Sequence, residues 1–253
     1  MTATMRQLGR TGVAVEAVSL GGEGILRTHG RSAEAVPMLL EALRLGVRYC
    51  DTAPAYDGSQ GYYGEAFAKM QNARDGVFLA SKTHERSRTG ALALLGRSLK
   101  TLGTDRLDLW QMHDLRTEDD LEAMFARGGA IEAAEEAKQA GKVRFVGLTG
   151  HHDPAILTAA MDRYAFDCVL VPVNPADPAR LPFITTVIPA ARARGMGVMG
   201  LADTLIIGCR SPAEIAANLH VGRTAEAMSD GERAALESRL ARRASRYAYF
   251  KAS

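Results

Sequence analysis

The chain has few of the features that would place it outside the ordinary globular classes. It holds three cysteines, Cys50, Cys168 and Cys209, at spacings that match neither a metal ligand set nor a disulfide framework. No apolar run approaches the ~18 residues of a membrane span. Residues 1–6 carry no apolar core of a signal peptide, so cytoplasm is the default expectation. Formal net charge is +2, too small an excess to point to nucleic acid or an anionic membrane. What is present is a 47% apolar, 24% charged composition over 253 residues, the size of one (β/α) barrel, and one domain over 1–253 is expected. Nothing in the composition sets the chain as a monomer or a homo-oligomer.

Three short apolar runs end in polar groups. Val47–Cys50 leads into Asp51 and, five residues on, Tyr56; Val77–Ala80 leads into Ser81-Lys82-Thr83; Leu107–Trp110 leads into Gln111-Met112-His113. Helical patterns separate them, for example Leu92, Leu95, Leu99 and Leu102. In a (β/α)8 barrel the carboxyl ends of all strands share one face, and chemistry sits there. Side chains alternate along a strand. If Asp51 points inward, Tyr49 does too, and the same parity turns Lys82, Ala80 and Phe78 inward, with His113, Gln111 and Leu109. Lysine and aspartate inside a barrel are costly unless paired.

Asp51, Tyr56, Lys82 and His113 then meet at one mouth. A phenol with pKa near ~10 is a weak acid at neutral pH. An ammonium beside it favours phenolate, and a carboxylate keeps the ammonium charged. A tyrosine so tuned is a general acid for an oxygen becoming alkoxide, and a histidine N–H aimed at that oxygen polarises a carbonyl. No side chain supplies a hydride, so carbonyl reduction needs a cofactor.

With Asp51-Thr52-Ala53 and Tyr56, Tyr63-Gly64-Glu65, Ser81-Lys82 and the Leu107-Asp108-Leu109 run ending in His113, the chain resembles the aldo-keto reductases from Arg6 to about Asn218. The resemblance implies a (β/α)8 barrel whose bottom is plugged by a hairpin, here residues 5–8 and 13–17 around Gly9–Gly12. It implies reduction of an aldehyde or ketone, with Tyr56 as proton donor, Lys82 and Asp51 tuning it, and His113 orienting the substrate. It implies NADP(H) as first choice, with NAD(H) close behind. Gly22 and Gly208 are expected to allow close approach of the cofactor, with Asp51 beside it. Relatives usually hold the carboxamide with Ser-Asn; Thr149 and Gly150 stand in those places, with His151 as the substitute. Leu170 replaces a common Gln, and Asn174 matches a common Asn. Ser211 as N-cap and Pro212 at the first helical position start a helix whose N-terminus, with Arg210, suits a phosphate. Glu214 falls where NADP-preferring relatives often carry a base, and would repel a 2′-phosphate or bond a 2′-hydroxyl. Asn218 matches an adenine contact. The adjacent His151 and His152 diverge without a third ligand, so no metal is expected.

Several elements read less regularly. Ser32 is placed as an N-cap, and Pro37 implies a late start or kink for the first helix. Residues 57–63 are read as a pocket loop, and Ser229–Phe250 as one charged helix. Strand seven, Val198–Leu201, is followed after only Ala202 and Asp203 by strand eight, Thr204–Gly208. Parallel neighbours need a crossover of a dozen or more residues. About 40 residues are absent against the usual crossover plus active-site loop. A true deletion and residues missing from the chain as written both remain open, and the second is favoured here. Two rival functions stand beside the reductase: a non-catalytic nicotinamide-binding regulatory or redox-sensing barrel, and a barrel isomerase or lyase that would leave the strand-eight phosphate site unexplained.

Overall fold

The computed structural model describes residues 5–200, 203–247 and Lys251. β1 (Met5–Gln7) and β2 (Ala14–Glu16) pair antiparallel as the expected hairpin. Leu8 and Val15 insert into an inner cluster with Tyr49, Phe78, Leu109, Cys168 and Met199, which makes the hairpin a plug. Arg10 fastens it by donating to the carbonyls of Ala165 and Phe166, each at 2.6 Å.

The alternating units follow. They are β3 (Val18–Gly24), α1 (Ser32–Arg44), β4 (Tyr49–Asp51), α2 (Ser59–Lys69), β5 (Phe78–Thr83), α3 (Arg88–Leu102) and β6 (Leu107–Met112). After them come α4 (Glu118–Phe125), α5 (Ala130–Gln139), β7 (Val143–Thr149), α6 (Pro154–Arg163), β8 (Cys168–Leu170), α7 (Val187–Ala193) and β9 (Gly197–Met199). The described chain closes with β10 (Leu205–Cys209), α8 (Pro212–Thr224), α9 (Asp230–Ala241) and α10 (Ala244–Tyr247). Among the described residues the sheet runs β10-β3-β4-β5-β6-β7-β8-β9, every pairing parallel, so a (β/α)8 barrel is formed. Strand parity divides the core in two. Tyr49, Phe78, Ala80 and Leu109 fill the barrel, while Cys50, Leu79, Trp110 and Val146 face the helices.

The seam explains how strand eight follows strand seven directly. Met199 and Thr204 form a single parallel bridge, so β10 begins at the level where β9 ends. The two strands succeed one another along the barrel, and the chain need not travel back down its full height. Asp203 secures the turn: its N–H donates to the Val198 carbonyl at 3.0 Å, and its carboxylate accepts the Val198 N–H at 2.8 Å. Only five residues separate β9 from β10, too few for a crossover helix. The long crossover is therefore absent from the sequence, as expected.

Three other expectations change. Pro37 sits inside α1, which starts at Ser32 with Arg31 as its cap residue; the Ser32 hydroxyl instead donates to Glu65 at 2.6 Å. Residues from Ser59 onward are helix α2 rather than loop. The C-terminal stretch is broken into α9 and α10, with a capping box at Ser229 and Glu232, and Phe250 lies outside the described residues. At the barrel bottom, buried Asp108 accepts the Leu79 N–H and pairs with Arg74 and Arg144, tying the starts of β5, β6 and β7 together.

Candidate active site

Three strands deliver the polar quartet. Asp51 ends β4, Lys82 lies near the end of β5, and His113 follows β6 directly, with its N–H on the Thr83 carbonyl at 2.8 Å. Lys82 Nζ donates to Asp51 Oδ2 at 2.5 Å and to the Thr52 carbonyl at 3.0 Å. Gln111 Nε2 reaches Asp51 Oδ1 at 3.4 Å. Tyr56 covers this pair, its ring centroid 4.6 Å from Lys82 Nζ. The His113 ring stands edge-on to Tyr56, with centroids 5.8 Å apart and an interplanar angle of 85°. Gly22 makes room: a Cβ there would lie 2.5 Å from the Tyr56 ring and 3.0 Å from the Asp51 carbonyl oxygen. Its smallness thus seats the tyrosine.

The electrostatics differ from the sequence expectation in one respect. Burial pushes the Asp51 carboxyl up and the Lys82 ammonium down, and each partner opposes the other's shift. The Tyr56 phenol is raised above its usual range, not lowered. Burial is the largest cause, followed by the charges of Asp51 and Glu23, while Arg27 opposes them. The physical reason is desolvation: the buried site penalises the charged phenolate more than the neighbouring cations favour it. Two residues at and just after the end of β3 also shape this field. Glu23 and Arg27 form an i,i+4 pair at 2.7 Å, and Arg27 lies over the Tyr56 ring, 5.2 Å from its centroid. The four-residue spacing was the available signal; contact with Tyr56 was not predictable from it.

His113 is pushed down to about 3, by burial first and then by the Lys82 charge. It is neutral at working pH, so one ring nitrogen carries a proton and can donate. Its linkage sign follows. The unfolded chain takes up a proton below about 6.5, which the folded state refuses until about 3. This contribution to stability is complete above 6.5 and is lost as pH falls, at up to about 1.4 kcal/mol per pH unit. Urea unfolding at pH 7, 6 and 5 should show a steeper acid loss for the wild type than for His113→Gln. Equal slopes would remove His113 as the source.

A cavity of about 450 Å³ opens beside the quartet. It is lined by Gly22, Asp51, Tyr56, His151, Asn174 and Gly208, together with apolar Leu170, Leu205 and Ile206. Of the residues expected around a cofactor, the structure brings five of these, all but Tyr56, to the cavity. Thr149 does not join them. It is fully buried, and its hydroxyl accepts the Asp114 N–H at 2.8 Å, tying the ends of β6 and β7. His151 lies at the cavity edge with Nδ1 3.0 Å from Asp114 Oδ1; Asp114 also binds Arg116, and its carboxyl is held well below the usual range by the His151 contact first. At the start of α8, Ser211 accepts the Glu214 N–H as N-cap, and Glu214 itself reaches back to the Arg210 N–H at 2.7 Å. The helix N-terminus is thus already faced by a carboxylate of its own. Asn218 donates to Cys209 Sγ at 3.4 Å. Among the described residues, no cluster of three or more His, Cys, Asp or Glu could hold a metal ion.

The family model of the Aldo/keto reductase family matches residues 17–214, and the chain belongs to that family. It is 32% identical over 160 residues to the L-galactose dehydrogenase of Arabidopsis thaliana, covering 58% of this chain and 48% of that protein. It is 29% identical over 159 residues to the 6-dehydroglucose reductase of Novosphingobium aromaticivorans, covering 57% and 50%. The chain therefore spans about half the length of the curated relatives it matches. Among solved structures, an aldo-keto reductase from Klebsiella pneumoniae in complex with NADPH superposes with TM-score 0.77 at 20% identity, covering 95% of this chain and 96% of that one. The holo form of an aldo-keto reductase from Bacillus halodurans gives 0.78 at 19%, covering 94% and 96%. At these identities the likeness is one of fold. Among the described residues, no helix is long and apolar enough to cross a membrane.

Proposed function

We propose that this chain reduces an aldehyde or ketone with hydride from a nicotinamide cofactor, Tyr56 supplying the proton. The observation that carries the reading is the meeting of Asp51, Lys82, Tyr56 and His113, of which Asp51 and Tyr56 line the 450 Å³ cavity. The raised Tyr56 phenol stays protonated through the neutral range. An alkoxide is a stronger base than phenolate, so transfer from Tyr56 runs downhill once the carbonyl oxygen gains charge. The adjacent Lys82 ammonium then stabilises the phenolate left behind, and neutral His113 donates to the same oxygen. Asp51 holds Lys82 in place.

The cavity fits the nicotinamide half of such a cofactor. Gly21, Gly22, Gly200 and Gly208 bring backbone to its wall, and Leu170, Leu205 and Ile206 give it apolar faces. When bound, the cofactor supplies the hydride that no side chain can. NADP(H) is proposed ahead of NAD(H), supported by the NADPH complex above and by a relative named as an NADP(+) aldo-keto reductase in Schizosaccharomyces pombe. Arg210, Ser211 and Asn218 would serve its adenosine end. Glu214 weakens that preference, since its carboxylate faces the helix N-terminus where a 2′-phosphate would approach. Glu214→Arg should therefore raise the NADPH-over-NADH affinity ratio about tenfold, or ~1.4 kcal/mol. Fluorescence titration of both cofactors measures it, and an unchanged ratio would mean that Glu214 does not meet the ribose.

The charged edge formed by Glu23, Arg27, Asp114, Arg116 and His151 offers hydrogen-bond partners to a hydroxylated carbonyl compound. The names of the two relatives quoted above, for galactose and dehydroglucose, support that class. A second reading, a nicotinamide-binding barrel without turnover, is favoured by one observation: the Thr149 hydroxyl, expected on the carboxamide, is engaged by Asp114. The test is NADPH oxidation against a panel of small and sugar-derived aldehydes. Turnover supports the reductase. Tight cofactor binding without turnover on any of them moves the second reading to first place.

A further inference from the structure

One wall of the cavity belongs to a segment with little regular structure. Val171, Pro172, Val173 and Asn174 line the cavity, and the chain then runs through a single 3-10 turn, Asp177–Ala179, before α7 begins at Val187. Asn174 folds the segment back on itself. Its side-chain oxygen accepts the Ala176 N–H at 2.9 Å, and its carbonyl accepts the Asp177 N–H at 2.9 Å. Asp177 is fully buried and accepts the Ile184 N–H at 2.8 Å, so it gathers both ends of the loop. Leu181 sits at φ 42, in the left-handed region that disfavours a residue with a branched side chain. This shape is not one the local sequence would choose alone.

The missing partner comes from far along the chain. Lys251, 74 residues beyond Asp177, places its ammonium inside the loop. Nζ donates to Asp177 Oδ1, to the Arg180 carbonyl at 2.6 Å and to the Leu181 carbonyl at 2.9 Å, which accounts for all three of its N–H groups. It also lies 5.2 Å from the Phe183 ring centroid. Neither side chain of the Lys251–Asp177 pair has any exposure. A buried ammonium is costly unless its surroundings are built around it. These acceptors all lie between residues 177 and 181, and none is on a barrel strand. A mere stability tether would give no reason for that concentration on the loop that continues into the cavity wall.

We propose that Lys251 is a positioning residue that holds residues 174–184 in the shape needed to wall the nicotinamide cavity. The assignment rests on the proposed cofactor role of that cavity. Its consequence is a division of labour: the quartet on β4, β5 and β6 does the chemistry, while the C-terminal segment, through one ammonium, sets how much of the protein can bind cofactor. Apparent affinity falls by the fraction of molecules whose binding site is formed, so a wall ordered a tenth of the time weakens binding about tenfold.

The test uses full-length Lys251→Met and, to remove the unpaired buried carboxylate, Lys251→Met with Asp177→Asn. Three readouts are taken: circular dichroism, amide hydrogen exchange of peptides covering 174–184, and NADPH affinity alongside kcat at saturating cofactor. The expected result is retained circular dichroism in at least the double variant, faster exchange confined to 174–184, NADPH affinity weakened about tenfold and kcat unchanged. Unchanged exchange and affinity overturn the proposal. So does exchange that rises evenly over the barrel, or loss of the fold in both variants, since either makes the pair a global stability element. If the wild type binds neither NADPH nor NADH, the proposed function falls instead. The exchange of 174–184 then decides Lys251 alone, faster exchange supporting it and unchanged exchange overturning it.

Discussion

Tyr56→Phe is expected to lower carbonyl reduction by about 10²–10⁴, the usual contribution of a positioned general acid, while leaving NADPH affinity nearly unchanged. The phenyl ring keeps the contacts the tyrosine ring makes. Lys82 Nζ still faces it at 4.6 Å and the His113 ring still meets it edge-on, so the cavity wall is preserved. Only the hydroxyl is lost, and with it the proposed proton donor. Steady-state turnover and cofactor titration on the same preparation separate the two effects. Turnover within a few-fold of wild type would remove Tyr56 as donor and make His113 the next candidate, although its neutrality at working pH makes it a weaker acid.

The second large effect is on stability. Lys82 is among the largest fully buried side chains, and its ammonium answers the equally buried Asp51. Lys82→Met fits the space but leaves the Asp51 carboxylate with Gln111 at 3.4 Å and no cation. Breaking a buried pair on one side costs about 3–5 kcal/mol, which for a domain of this size corresponds to a fall in Tm of roughly 10 °C. Lys82→Met combined with Asp51→Leu removes both charges and should recover most of that loss, because a buried ion pair and an apolar pair of similar volume are often comparable. Activity should stay lost in both variants. Scanning calorimetry of the single and double variants decides it, and a single variant that melts with the wild type would mean that the ammonium contributes nothing to holding Asp51.

Strand parity explains why so much of this site was readable. A period of two, counted back from Asp51, Lys82 and His113, separates the barrel-filling Tyr49, Phe78 and Leu109 from the helix-facing Cys50, Leu79 and Trp110, and the structure divides them in the same way. The start of α8 was readable for a similar reason: Ser211 and Pro212 act within one turn, and the cap forms as written. The misreadings share a different cause. Pro37 was expected to delay or kink the first helix; α1 starts at Ser32 without delay and runs through it, its buried face of Ala35, Val36, Met38 and Leu39 packed into the core. Thr149 was expected at the cofactor from the resemblance; its hydroxyl accepts the N–H of Asp114, 35 residues away, and it lies outside the cavity lining. The Tyr56 phenol was expected lower because of the neighbouring ammonium, but burial is the larger effect and raises it.

The sequence by itself therefore determined the class of fold, the family and the four side chains at its mouth, because these depend on local periodicity and on residue types at fixed spacing. Tertiary structure alone decided the rest. It set the direction of the Tyr56 shift, the engagement of Thr149 and His151 by Asp114, the seam at which β10 takes over where β9 stops, and the seating of Lys251 against residues 177–181. Each of these depends on distances in space rather than along the chain. Burial and Coulomb energy change steeply over a few ångströms, and no spacing along a sequence records such distances.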